Sequence, residues 1–237
     1  IYVDMELSTD TTLLLPKESA NHLANVLRLK TGHPVVLFNG DGNEYSAEID
    51  EISKKQTSIL VTARLGISAE SPLHIHLAQG VSKGERMDLV MQKSAELGVT
   101  EITPVITERC PVKLNAERWE KKQQHWQKIL ISACEQCGRN QLPKLNSAIT
   151  LMEFINQSTY QTRLILHPLA EQRIANFSLP LDGFRLLIGP EGGLSESELY
   201  QATEFGFQKI LMGPRVLRTE TAAIAAISIL QAQFGDI

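Results

Sequence analysis

The chain has 237 residues, of which 43% are hydrophobic, with a net charge of −4 and three cysteines. That length holds one large domain or two modest ones with a self-sufficient core, and three cysteines do not build a disulfide framework, so a reducing, cytoplasmic setting is expected. No apolar run reaches the length of a membrane span and the start lacks the basic-then-apolar layout of a secretory signal; the chain opens on Ile1, and a few residues are expected to precede it.

Residues 1–70 read as a small β-rich domain with one helix. Ser19 to Leu29 places Leu23, Val26 and Leu27 on one stripe, with Gly32 as the stop. Val35 to Phe38 predicts a strand, Asn39 to Asn43 a turn, and Tyr45, Ala47 and Ile49 alternate with polar residues as in a half-buried strand. Ser58 to Leu65 supplies another, and several short strands suggest a small barrel. A polar stretch ending in Pro72 marks the boundary, and residues 73–237 form the second domain.

From Leu73 the pattern changes to strand, helix, strand, the sign of an α/β domain with a parallel sheet. Leu73, Ile75 and Leu77 alternate in a strand. Met87 to Ala95 predicts an amphipathic helix stopped by Gly98, and Val99 to Ile106 the next strand. Asn115 caps a long helix, Ala116 to Cys137, with Trp119, Trp126, Ile129, Leu130 and Ala133 on its buried stripe. Leu164 to His167, Arg185 to Ile188 and Lys209 to Met212 are short apolar runs that read as strands. Two glycine-bearing loops go with the last two of them, Gly189-Pro190-Glu191-Gly192-Gly193-Leu194 and Leu211-Met212-Gly213-Pro214-Arg215-Val216-Leu217-Arg218-Thr219-Glu220-Thr221. Each leads into a helix: Ser195 with Glu198 has capping-box spacing, and Thr219 with Glu220 opens an apolar helix, 222–230, expected to be buried all round. Paired turns at strand C-termini form the crevice where open α/β sheets bind ligands.

Other motifs point less far. Cys134-x-x-Cys137 lacks a second pair for zinc and closes a helix rather than opening one, so packed or site-lining thiols are expected. His74 and His76 share a strand face without a third ligand, and no metal site is expected. The dinucleotide fingerprint, the P-loop lysine and the G-x-S-x-G elbow are missing, which favours chemistry in which the protein positions a reactive cofactor. Charge is uneven: residues 1–72 hold 6 basic and 10 acidic residues, whereas 109–144 hold 8 and 3. A concentrated patch binds phosphates even on an acidic protein, although a solvated helix face explains the same counts.

Gly189 to Gly193, Arg215 to Ala222, Gly80 to Arg86, Gln92 to Gly98 and Ala133 to Arg139 together resemble the signature segments of the RsmE-type ribosomal RNA methyltransferases of the SPOUT superfamily, over essentially the whole chain. The resemblance implies a PUA-like RNA-binding barrel at 1–70 and, at 73–237, a SPOUT domain whose C-terminal segment forms a deep trefoil knot. It implies S-adenosyl-L-methionine (SAM) as cofactor, in a pocket formed by Leu166, His167, Gly189, Pro190, Glu191 and Gly192 on one side and Leu211, Gly213, Val216, Leu217, Thr221 and Ala222 on the other, floored by Ala223 and Ile224. The implied reaction is methylation of uridine N3 in 16S rRNA of the small ribosomal subunit by a homodimer. A buried arginine is expected to stabilise the uracil anion, Arg218 first and Arg215 second, with Glu191 or Glu220 taking the proton or pairing with those arginines. Lys83, Arg86, Gln136, Arg139, Arg28 and Lys30 are the expected RNA contacts. Methylation of another rRNA or tRNA nucleotide, or RNA binding without catalysis during ribosome assembly, are the alternatives.

Overall fold

The computed structural model describes residues 1–53, 56–112 and 115–237, without the side chains of Glu18 and Val26. It divides into two compact units, one of Ile1–Glu70 with Cys134–Leu142 and one of Ser71–Ala133 with Pro143–Ile237.

In the first unit, β1 (Thr11–Leu14), β2 (Pro34–Leu37), β3 (Glu44–Ile52) and β4 (Thr57–Leu65) form an antiparallel sheet in the order β1-β4-β3-β2. Tyr2 bridges Phe38 just beyond β2, so the segment leading to β1 touches both edges and curls the sheet toward closure. Covering edges in this way removes unpaired backbone groups that invite aggregation. Tyr45, Ala47 and Ile49 point inward, and with Leu23, Leu37, Ile59 and Val61 they form the core.

The helix of this unit departs from expectation. It begins at Lys17 as α1 (Lys17–Asn21) and widens into a π turn over His22–Val26, closed by a Leu27 N–H to His22 carbonyl bond of 2.9 Å. The wider turn rotates Leu27 off the stripe, leaving it 45% exposed while Leu23 is fully buried. Arg28, at φ 54°, ends the helix before Gly32 is reached. The side chain of Val26, the third member of the expected stripe, lies outside the described residues.

The second unit holds β5 (Ile75–Gly80), α2 (Glu85–Glu96), β6 (Glu101–Ile106), α3 (Ala116–Cys137), β7 (Lys144–Leu145), β8 (Ile149–Thr150), α4 (Leu151–Ile155), β9 (Thr162–Leu166), β10 (Phe184–Ile188), α5 (Glu196–Glu204), β11 (Gln208–Ile210) and α6 (Thr219–Phe234). The last turn of α3 belongs to the first unit. Every pairing in the sheet is parallel, in the order β11-β9-β10-β5-β6-β7, with β8 also on β6. Helices cover both faces of such a sheet, so β5 and β10 are buried along their whole length and not alternately, as the spacing of Leu73, Ile75 and Leu77 suggests. The chain visits β5 and β6, moves outward to β7 and β8, then returns past β5 to β9 and β10. This reversal puts the carboxyl ends of β9, β10, β5 and β11 around one crevice.

Local signals explain the helices. Asn115 Oδ1 accepts the Arg118 N–H at 3.0 Å at the start of α3, whose Trp126, Leu130 and Ala133 are buried, while Trp119 and Ile129 of the expected stripe are only half-buried. Ser195 and Glu198 form the reciprocal capping box of α5. α6 packs against α2, and its Gln231 accepts from the Ser71 hydroxyl at 2.7 Å and donates to the Leu97 carbonyl at 2.8 Å. α6 is not buried all round: Thr221 and Ile229 are exposed and Ala225 is half-buried, an i, i+4 stripe left uncovered. Cys134 is fully buried, and burial pushes its thiol up to about 12. At the amino end of the sheet, buried His76 Nε2 lies 2.8 Å from the Thr103 hydroxyl and Nδ1 lies 3.5 Å from Glu101.

Candidate cofactor cavity and catalytic centre

At the carboxyl end of the second unit's sheet, three loops surround a cavity of about 600 Å³. The first is Gly189–Gly193 after β10. It folds tightly because Gly193 takes φ 66° and because Gly80, at the end of β5, lets it descend: a Cβ on Gly80 would lie 2.4 Å from Pro190 N. The second runs from Leu211 to Arg218 and turns at Gly213, φ 101°. The third, His167-Pro168 after β9, is held by the His167 N–H to Ile210 carbonyl bond of 3.0 Å.

Thr219 locks the first two loops together. Its hydroxyl donates to the Gly189 carbonyl at 2.6 Å and accepts from Gln79 Nε2 at 2.8 Å, while Gln79 Nε2 also donates to the Gly80 carbonyl. Thr219 therefore does not cap α6: Arg218, with an extended backbone and no side-chain cap bond, stands at the N-cap position, and the Thr219 hydroxyl ties strand ends instead. Sequence reasoning missed Gln79 and the Thr219 bridge. The signal was a lone glutamine at the end of an apolar strand, Ile75-His76-Leu77-Ala78-Gln79.

Leu166, Leu211 and Leu217 supply apolar surface to the cavity, and His167, Gly189, Pro190, Gly192, Gly213 and Ala222 supply main chain and small side chains. Val216 lines it too, but is 87% exposed and so contacts it from the rim. Thr221, Ala223 and Ile224 do not line it: the helical rotation of about 100° per residue on either side of Ala222 carries Thr221 to solvent and buries Ala223. Leu194 and Met212 of the two glycine loops line it as well, and Pro168, Ile188 and Leu199 are lining residues that the loops did not mark.

Charge gathers at one end. Glu191 accepts from the Lys83 N–H at 3.0 Å and from Arg86 Nη1 at 2.9 Å. Burial alone would raise its carboxyl, but these bonds, with those from its own N–H and Ser82, outweigh that and hold it below the usual range. Glu220, in the first turn of α6, lies 3.8 Å from Arg86 Nε through Oε1, while its Oε2 is buried with no hydrogen-bond partner. Leaving such an oxygen bare costs about 1–3 kcal/mol, so a ligand donor placed there gains that much. His167, which also lines the cavity, is held below its ordinary range by burial and by Lys209.

Two expectations are corrected here. Arg218 and Arg215 reach the cavity, yet both are exposed, because Arg218 stands at the helix N-terminus and Arg215 at the loop tip. Among the described residues the two carboxylates pair with Arg86, not with these arginines. Arg139, expected to meet RNA, is 4% exposed, and its Nε and Nη2 donate to Glu70 at 3.0 and 2.6 Å within the first unit. Arg28, Lys30 and Gln136 are exposed on the first unit, and Lys83 on the second. No group of three or more His, Cys, Asp or Glu that could hold a metal occurs among the described residues, and no helix there is long and apolar enough to cross a membrane.

A model of the RNA methyltransferase domain matches residues 69–231, and one of the RNA methyltransferase PUA domain matches residues 15–61. The "Ribosomal RNA small subunit methyltransferase E" of Buchnera aphidicola subsp. Schizaphis graminum is 38% identical over 239 residues, covering 100% of this chain and 97% of that one. This chain belongs to the ribosomal RNA small subunit methyltransferase E family. The Bacillus subtilis member is 31% identical, covering 94% of this chain and 90% of its own. A methyltransferase from Legionella pneumophila, solved in complex with bound cofactor SAM, superposes with a TM-score of 0.97 at 47% identity, covering 100% of this chain and 98% of that one. The Neisseria gonorrhoeae family member bound to S-adenosyl methionine gives 0.94 at 39% identity, with the same coverage. The family's two modules, a PUA-like domain and an α/β domain with a parallel sheet, are thus both present in this chain.

Proposed function

We propose that this chain is a SAM-dependent methyltransferase that converts a specific uridine of 16S rRNA into 3-methyluridine. The observation that carries this reading is the cavity between two glycine loops in a fold that matches, over its full length, relatives solved with SAM. The residues fit that cofactor: an apolar cavity for a nucleoside, Glu191 at one end for a cationic sulfonium, and main-chain groups on three loops for the adenine edge. Bound there, the cofactor supplies an activated methyl group.

The remaining work is done by the chain. Leu166, Leu211 and Leu217 enclose the adenine, and Thr219 with Gln79 keeps the two loops at their spacing. Uridine N3 lies on the Watson–Crick edge, so the base is taken unpaired or flipped from its stack. Loss of the N3 proton leaves an anion; Arg218, exposed at the mouth of the cavity, supplies the positive charge that stabilises it. Lys83 on the second unit, with Arg28, Lys30 and Gln136 on the first, are assigned to RNA. The C-terminal segment is read as threaded in a trefoil knot, which the placement of β9 and β10 between β11 and β5 and the Thr219–Gly189 bond support. The enzyme is read as cytoplasmic and as a homodimer through the uncovered stripe of α6.

The test is methylation of small subunits lacking the modification with labelled SAM, followed by digestion and identification of the labelled nucleoside. 3-Methyluridine is expected; any other methylated nucleoside overturns the target assignment, and no heat on calorimetric titration with SAM overturns the enzyme.

A further inference from the structure

We propose that Glu220, and not Glu191, takes the proton from N3, and that the target base sits in a second groove beside the cofactor cavity; this rests on the methyltransferase reading above. The groove, about 780 Å³, runs along α2 in the second unit, with Ile129 of α3 on its lining and Arg218 and Glu220 from the start of α6. It shares three residues with the cofactor cavity, Arg86, Arg218 and Glu220. Methyl donor and acceptor atoms must meet where two such spaces join, so a group acting on the reacting nitrogen belongs among those three. Glu220 is the one carboxylate of the set; Glu191 lines the cofactor cavity alone.

Hydrogen bonding separates the two acids further. Glu191 is committed to the Lys83 N–H and to Arg86 and anchors the first glycine loop. Glu220 has a long contact with Arg86 Nε and an oxygen with no partner, an acceptor that lacks a donor. The N3–H of uracil is such a donor, and the broad terminal torsion of glutamate lets the carboxylate turn toward it. The other titratable or charged groups around it are Glu85 and Asp88 from α2, Arg215 and Arg218 from the second loop, Glu191, which shares Arg86 with it, and His167 of the cavity lining. Asp88 is engaged by His125 Nε2 at 2.9 Å and Trp126 Nε1 at 3.2 Å, and so is not available as the base. In the step itself the N3–H bond breaks and its proton passes to a Glu220 oxygen. The electron pair left on N3 forms the bond to the methyl carbon, and the carbon–sulfur pair stays on sulfur.

Glu220→Gln and Glu191→Gln test this against the wild type in three measurements: SAM affinity by calorimetry, single-turnover methylation from low to high pH, and methylation of RNA carrying 5-fluorouridine, whose N3–H is more acidic. For Glu220→Gln, SAM affinity stays within about 2-fold, the rate falls roughly 10²–10⁴-fold, the acid limb of the profile disappears, and 5-fluorouridine restores much of the loss. Glu191→Gln keeps the acid limb and loses SAM affinity. An acid limb that persists in Glu220→Gln, a rate loss that only tracks SAM affinity, or no gain from 5-fluorouridine overturns the assignment. Should Glu220→Gln fail to fold, Glu220→Asp decides: a retained acid limb at lower rate supports the role, and its absence refutes it. A wild type that binds no SAM or makes no 3-methyluridine sinks the underlying reading instead.

Discussion

The Thr219 hydroxyl joins the Gly189 carbonyl and the Gln79 amide, so one small side chain sets the spacing of the loops that form the cavity. In Thr219→Val both partners lose a bond, at a cost of about 1–3 kcal/mol in urea unfolding, and SAM affinity falls with it, whereas Thr219→Ser stays close to wild type in both. Arg218 is the opposite case. It is exposed and, among the described residues, holds no carboxylate, so Arg218→Ala is expected to melt within about 2 °C of wild type while methyl transfer drops roughly 10²–10³-fold. His76 governs acid stability. Burial disfavours its cation, outweighing nearby Glu101, and lowers it to about 4 from the ordinary 6.5. Between those values the unfolded chain binds more protons, so its contribution is complete above 6.5 and is lost as pH falls toward 4, on the order of 3 kcal/mol. Denaturant midpoints measured across that window should fall for the wild type and flatten for His76→Gln. At this scale the motif-bearing residues were legible, because Gly189, Gly213 and Glu191 stand in tight spacing along the chain. Arg86 as the partner of both acids was not, since that pairing joins residues 105 apart in sequence for Glu191 and depends on the fold.

Elements were read from apolar runs and caps where these act locally. α3 runs from Ala116 to Cys137 as its Asn115 cap and stripe predict, and Ser195 with Glu198 closes its capping box. The reading failed where tertiary contacts override pattern. The π turn after α1 shifted Leu27 outward, the parallel sheet buried both faces of β5, and the Thr219 hydroxyl was drawn from capping to a neighbouring strand. The end of β5 is the sharpest local constraint, because Pro190 occupies the space a side chain at Gly80 would need. Gly80→Ala must push the Pro190 backbone away, costing about 1–3 kcal/mol. Thermal unfolding should show that loss, and calorimetry a SAM affinity at least 10-fold weaker, since the displaced loop forms a wall of the cavity.

For the whole molecule, hydrophobic periodicity distinguished a β-rich first part from an α/β second part, since period-2 and period-3.6 patterns differ along the chain. It carried no information on strand order, which depends on crossovers that leave no local mark; the β9–β10 insertion between β11 and β5 is such a case. Nor did it separate a buried helix from one awaiting a second copy, because α6 is apolar in either event. The uncovered Thr221, Ala225 and Ile229 stripe is where dimer formation is expected. Ile229→Asp places a charge on it, and light scattering should then report a monomer where the wild type gives a dimer.

The first unit is discontinuous in sequence, and this orders events on the translating ribosome. Its Glu70 finds Arg139 and the Gln141 N–H only in a stretch made 69 residues later. At roughly 5–20 residues per second, the nascent β module waits several seconds for its last piece. During that interval Glu70 lacks these partners, so the closing contacts of the module form only after synthesis has moved well into the second unit.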